Sequence, residues 1–548
     1  MSATPLELGF AARKRITWDR AALCLFILAT LLVVATFDDY GVTWDEDIHQ
    51  WYGVSALDYY LSRFRDLSAL SWLDLVNYGA AFDMTAALVN KLSPFGIYET
   101  RHLFNGLVGV FGLIGVWKLA HFLGGPRAGF LAALFLLLTP NYYGQMFNNP
   151  KDIPFAVGMI WSLYCLARLL PELPRPSFAS VLKLGIAAGL ALGIRVGGFL
   201  IFGYVGLLLL LSALWRSIEA RRAGLFLAET WTSGWRVLVP ALIVAYPVML
   251  FFWPWAQQAP VEHPLMALAT FSHQIFPWKT LFAGEYIPAS DLPWEYLPVH
   301  ILLALPELVL LLLLAAPFLA WHQLRGARWE RGRVLGGFLL GFAILFPVGY
   351  AIAIKAVLFD GMRHFIFVLP PIICVAALVA DWALDRLQRF SVRRLAYGLL
   401  ALYGVFHVGI MASLHPDEYV YYNGFIGGVH GAQGIFKLDY WANSYAEAVQ
   451  GLEDYLRAEY GPDFKDHDFT VAVCGPPASA AYYFPSNFIY TPNPVGADFF
   501  IAFTKDNCNK SLPGREIYRV TRMDTLLSVV LDRRAVQPMH TGRIAGGN

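Results

Sequence analysis

The chain has 548 residues, 57% hydrophobic and 15% charged, with a mean hydropathy of +0.50. A soluble fold of this length does not bury so much apolar surface, so a polytopic membrane protein with a modest soluble part is expected. The net charge of +1 offers nothing to nucleic acid, and the five cysteines show no CxxC or Cys/His spacing for a metal.

The first apolar segment, 21–37, follows Arg13, Lys14, Arg15 and Arg20 and is read as a retained anchor. Directly after it comes "GVTWDEDIHQWYG", which places Asp45, Glu46, Asp47 and His49 between two tryptophans. Asp45 and Glu46 are adjacent and cannot share one helix face, so different roles are expected: one a general base, the other orienting a ligand or metal. Partial desolvation at a membrane mouth is expected to raise such a carboxyl's pKa. The plainer alternative is a solvated acidic loop capping a helix that starts near Asp47.

Further along, "FNNPKDIPFAVG" puts Asp152 in the first turn of a span, with Lys151 beside it as a cation. Capping by Asn149 or Asp152, with Lys151 reaching to the interface, is the alternative. In "GLALGIRVGGFL", Arg195 interrupts an apolar run, where a charge needs a partner or a function. The long loop between Trp255 and Pro298 carries His263, His273, Lys279, Glu285, Tyr286, Asp291 and Glu295 among aromatics and prolines. It reads either as an aromatic belt or as a lid over a substrate, with the two histidines in packing or polar contacts. "IKAVLFDGMRHFIFVLPP" then gathers Lys355, Arg363 and His364 at a membrane boundary, a set suited to holding phosphate.

Spanning-length apolar runs fall around 21–37, 102–122, 127–140, 153–171, 180–194, 198–215, 237–255, 298–321, 334–354, 364–382 and 395–413, about eleven in all, with 127–140 and 180–194 the shortest. If the N-terminus is cytoplasmic, one alternation sends Arg127, Arg175, Arg216, Arg221, Arg222, Arg325, Arg328, Arg331, Arg333, Arg386, Arg389, Arg393 and Arg394 to the cytoplasmic face. The polar motifs and everything beyond about Leu414 then lie outside. The resulting division is a membrane catalytic domain over 1–413, a Tyr/Gly/Asn-rich junction over 414–442 and an extracytoplasmic α/β domain over 443–548. In the last of these, "DFTVAVCG", "ADFFIAFT" and "REIYRV" read as strands and "NSYAEAVQGLEDYLRAEY" as a helix. Cys474 and Cys508 lie near strand ends, where a disulfide is open to them in an oxidising compartment.

Carboxylates in two external loops, cations for phosphate and an aromatic loop together fit displacement of a lipid phosphate from a sugar. A transporter or flippase of a lipid-linked glycan is the rival reading. It would carry charged or broken helices at mid-membrane, often in repeated halves, and this chain has no internal repeat.

"TWDEDIH", "YETRHLFNGLVGVFG", "NNPKDIPFA", "GLALGIRVGG", "PWEYLPVHILLALPELVL" and "DGMRHFIFVLPP", in that order over residues 20 to 385, resemble the GT-C glycosyltransferase superfamily. The likeness is to its polyprenyl-phosphate-sugar-dependent branch: protein O-mannosyltransferases, aminoarabinose lipid A transferases and RgtA/B/C/D-like enzymes. The resemblance implies a GT-C-like helical membrane fold and inverting transfer at the outer face of the plasma (inner) membrane, from a polyprenyl-phosphate-linked sugar to a lipid, glycan or protein acceptor. It implies Asp45 as general base with Glu46 beside it, Asp152 as the second-loop acid, and Arg363 and His364 next to the donor phosphate. Arg195 stands where relatives often have Lys. No cofactor is required, and a divalent metal near the carboxylates is compatible with the pattern.

Overall fold

The computed structural model describes residues 5–273, 278–325 and 331–536, without the side chains of 5–16, 272–273 and 323–325. Arg328, and the side chains of Arg13, Lys14, Arg15, His273 and Arg325, therefore lie outside the described residues.

Each of the eleven apolar runs coincides with helix. Among the described residues, eight helices are long and apolar enough to cross a membrane: Thr17–Thr36, Ile97–Gly124, Asp152–Glu172, Val196–Glu219, Ala223–Phe251, Arg331–Ala353, Arg363–Arg386 and Phe390–Leu414. The other three depart from a simple count of spans. Pro126–Leu137 and Phe178–Leu192 are shorter than a span, and the run 298–321 is two helices, Tyr296–Ala304 and Glu307–His322, bent by 116°.

The bend has a local cause. Pro306 lacks the amide that would continue the helix, and its ring crowds the preceding turn. The carbonyls thus stripped of partners are met by the junction: the Asn423 amide group donates to the oxygens of Leu302 (2.8 Å) and Leu305 (2.9 Å), and its backbone N–H donates to Leu303 (2.9 Å). At membrane depth such carbonyls must be satisfied internally. On the far side of the break, Glu307 accepts from the Gly424 amide (2.6 Å) and from the Tyr403 hydroxyl (3.1 Å).

The C-terminal part packs the helix Tyr445–Tyr460 on a five-stranded mixed sheet. A separate antiparallel hairpin supplies β1 (Lys279–Phe282) and β2 (Glu285–Pro288). The sheet strands are β3 (Phe469–Val473), β4 (Phe488–Tyr490), β5 (Phe499–Phe503), β6 (Arg515–Arg522) and β7 (Thr525–Asp532), in the order β4-β3-β5-β7-β6. The expected strands correspond to β3, β5 and β6, and the pattern missed β4 and β7. β5 is buried along its whole length, as a central strand covered on both faces should be. Cys474, just after β3, is joined to Cys508, in the turn after β5, by a disulfide.

This domain and the end of the junction grip the loop that follows the first membrane helix. Gly41 donates its N–H to Asn443 Oδ1 (2.9 Å), Val42 to the Tyr483 hydroxyl (3.1 Å) and Trp44 to the carbonyl of Trp441 (3.0 Å). A Cβ on Gly41 would stand 2.1 Å from the Asn443 carbonyl oxygen, so only glycine permits this approach. The segment 40–45 is thus held between the membrane helices and the C-terminal domain.

Candidate active site

Asp45 precedes the helix Glu46–Leu61, one residue earlier than the expected start near Asp47, and its carboxylate makes no capping bond. It faces Arg363 instead: Nη1 of the guanidinium lies 2.6 Å from Asp45 Oδ2, and Lys151 Nζ is 4.0 Å from the same oxygen. The Asp45 side chain is 17% exposed. Burial would raise its pKa, but Arg363, Lys151 and His49 together outweigh that effect and hold it well below the usual carboxylate range. The expected upward shift is therefore reversed, because the desolvated carboxylate is ion-paired.

Glu46 points elsewhere. It is 1% exposed, and its carboxylate receives the Thr43 backbone amide (2.8 Å), the Thr43 hydroxyl (3.1 Å) and His102 Nε2 (3.0 Å). These contacts tie the loop to the helix Ile97–Gly124 and leave Glu46 outside the Asp45–Arg363 cluster. His49 likewise faces inward, its Nδ1 at 2.7 Å from Asp83, which Arg101 also binds at 2.6 Å. Burial works against ionisation of Asp83, but these two partners prevail and its pKa is lowered.

The second acidic loop lies alongside. Asp152 opens its helix after the N-cap Lys151, whose side chain makes no capping bond, and the Asp152 amide is donated to Asn149 Oδ1 (2.9 Å). The Asp152 carboxylate is ion-paired with Arg195 and accepts from Asn149 Nδ2 (3.1 Å). The Tyr78 ring lies beneath both Lys151 (4.6 Å) and Arg195 (5.6 Å). The two acidic loops and the interrupted apolar run therefore meet as one cluster.

A turn through Asp360 (φ +55°) and Gly361 (φ +72°) aims Arg363 at this cluster. The Gly361 amide donates to the Tyr296 hydroxyl at 3.0 Å, and the Arg363 guanidinium lies over the rings of Phe359 (5.0 Å) and Trp441 (5.2 Å). Asp360 is 4.0 Å from Arg363, 3.2 Å from Lys437 and 3.7 Å from Lys505. Burial opposes its ionisation, yet Lys505, Lys437 and Arg363 keep its pKa lowered.

His364, next along, packs edge-on against Phe359 (4.8 Å). Lys355 is exposed, has φ +51° and pairs with no carboxylate among the described residues. Glu285 is exposed beside the hairpin turn and pairs with no cation among the described residues, whereas the Tyr286 hydroxyl accepts from Asn507 of the C-terminal domain at 3.4 Å. His263 stacks on Trp255 at 3.8 Å, the packing role expected of it. Sequence reading missed Asp360, Lys437 and Lys505, whose spacing in the chain has no local signature.

The cluster thus sets Lys151, Arg195, Arg363, Lys437 and Lys505 against Asp45, Asp152 and Asp360, an excess of positive charge in a water-poor place. Such a site suits an anion of more than one charge. Among the described residues no group of three or more His, Cys, Asp or Glu is placed to hold a metal ion.

Residues 82–251 match the family described as dolichyl-phosphate-mannose-protein mannosyltransferase. Across the solved structures, the chain resembles ArnT from Cupriavidus metallidurans bound to undecaprenyl phosphate, with a TM-score of 0.50 at 14% identity, covering 93% of this chain and 97% of that one. The oligosaccharyltransferase of Archaeoglobus fulgidus is matched with a TM-score of 0.46 at 12% identity, over 87% of this chain and 65% of that one. No curated protein sequence matches. The family match spans the second acidic loop and Arg195, and over 93% of its length the chain has the fold of ArnT, that of a multi-pass membrane protein.

Proposed function

We propose that this enzyme moves a monosaccharide from a polyprenyl phosphate to a hydroxyl of an extracytoplasmic lipid, glycan or protein, with inversion at the anomeric carbon. The observation that carries the reading is the Asp45–Arg363 pair, which puts a carboxylate and a phosphate-binding guanidinium 2.6 Å apart. In the resting state the paired Asp45 is too weak a base to take a hydroxyl proton. A donor phosphate engaging Arg363 and Lys151 competes for those cations, and the carboxylate so released recovers basicity.

The acceptor O–H then gives its proton to Asp45 while its oxygen bonds to the anomeric carbon. The bond from that carbon to the phosphate oxygen breaks, and its electron pair leaves with the phosphate. The second negative charge that develops there is met by Arg363 and Lys151, with Arg195 behind them. Side-chain cations supply the charge, so the step as proposed requires no metal ion. Glu46, held by Thr43 and His102, positions the loop. The distribution of arginines supports placing this cluster and the C-terminal domain on the extracytoplasmic side.

The test is turnover by the purified full chain with a panel of polyprenyl-phosphate sugars, followed by NMR of the product's anomeric centre. The expected product has the anomeric configuration opposite to the donor. Retention of configuration would overturn the single-displacement mechanism.

A further inference from the structure

The ion pairs around Asp360 extend beyond the membrane domain. Lys437 comes from the junction, and Lys505 comes from the C-terminal domain, on the turn that follows β5 and is tied by Cys508 to Cys474. Lys505 is only 9% exposed at its side chain. Its ammonium lies 3.7 Å from Asp360, donates to the carbonyl of Tyr440 at 3.3 Å and stands over the face of Trp44 at 4.6 Å. Trp44 immediately precedes Asp45, so one C-terminal side chain touches both the residue next to the proposed base and the carboxylate next to Arg363.

The surrounding backbone is shaped for this contact. Gly475 has φ +84°, and a Cβ there would meet the Trp44 ring at 3.0 Å and the Phe503 ring at 3.1 Å. Asp506 and Asn507 are both left-handed, with φ +53° and +58°, and turn the chain sharply after Lys505. Asp506 is exposed and 4.0 Å from Lys437, at the margin of the cluster.

Arg363 stands between two carboxylates, Asp45 at 2.6 Å and Asp360 at 4.0 Å. A buried carboxylate deprived of one cation draws harder on those that remain. We propose that Lys505 is a positioning residue: by neutralising Asp360 it keeps Arg363 directed at Asp45 and at the donor phosphate, making the C-terminal domain an integral part of the donor site. The inference rests on the proposed role of Arg363 in donor binding. Lys505 acts through Asp360, and removing both partners together restores the balance that removing Lys505 alone upsets.

The experiment measures undecaprenyl phosphate binding to the full chain in nanodiscs, comparing wild type, Lys505→Met, Lys505→Arg, Asp360→Asn and the double variant Lys505→Met/Asp360→Asn. Lys505→Met is expected to weaken binding about tenfold or more. Lys505→Arg and the double variant are expected to bind within a few-fold of wild type. Equal binding by wild type and Lys505→Met would overturn the inference, as would a double variant no better than Lys505→Met. Should Lys505→Met fail to fold, the comparison of Lys505→Arg and the double variant with wild type decides, since loss of binding in either counts against it. Absence of binding by wild type would instead refute the donor-site reading itself, and transfer by wild type without any effect of Lys505→Met would refute only the role of Lys505.

Discussion

Arg363 gains its meaning from geometry that a point charge would not satisfy. Its planar guanidinium reaches Asp45 from one edge, faces Asp360 from another and lies across two aromatic rings. Lysine in its place keeps the charge and loses the fork and the ring contacts. Arg363→Lys is accordingly expected to raise the donor KM roughly tenfold or more, and donor titration of the purified variant checks this. A second residue links pH to integrity. His415 is 2.8 Å from Glu418 and 2.9 Å from Asp39. Burial disfavours its charge, but Glu418 and Asp39 overcome that and push its pKa up to about 9. The protonated imidazole therefore contributes stability in full below its ordinary pKa of about 6.5 and loses it as pH rises through about 9. The fall in melting temperature between those two pH values is expected to be shallower in His415→Gln, and thermal unfolding in detergent across that window measures it.

At the level of elements, the broken helix pair and the junction depend on each other. Asn423 satisfies carbonyls exposed at the break before Pro306, and Glu307 receives the amide of Gly424. Asn423→Ala leaves those buried carbonyls without partners, at a cost of about 1–3 kcal/mol each. The expected result is a lower melting temperature together with faster proteolysis of the 296–322 region, followed by limited digestion. The helices themselves were legible, because spanning-length apolar runs carry a strong signal. The break was not, since mean hydropathy stays high through "LLALPELVL" and registers Pro306 only as one more residue. β7 was missed because "TLLSVVLD" has nearly every position buried, which erases the alternation that marks a half-exposed strand.

Across the whole molecule, the site is assembled from loops far apart in sequence and closed by the C-terminal domain. Part of it was legible: Asp45 and Asp152 are carboxylates in otherwise greasy surroundings, Arg195 interrupts an apolar run and Arg363 stands in a basic cluster at a membrane boundary. Glu46, expected to have a different job from its neighbour Asp45, turns away from the cluster toward Thr43 and His102. Lys355 was grouped with Arg363 by proximity in the chain, yet it is exposed. Lys437 and Lys505 were invisible, being ordinary lysines in polar stretches until the fold brings both to Asp360. The expected increase in the Asp45 pKa failed for a related reason, since burial was foreseeable and the partner 318 residues away was not.

The central claim is that Asp45 is the base of a sugar transfer. It is tested most directly by comparing wild type with Asp45→Asn in membranes supplied with radiolabelled polyprenyl-phosphate sugars, with expression and insertion matched. Label is expected to reach an acceptor with wild type and to fall about 10²–10⁴-fold with Asp45→Asn. Equal labelling by the two proteins would contradict it.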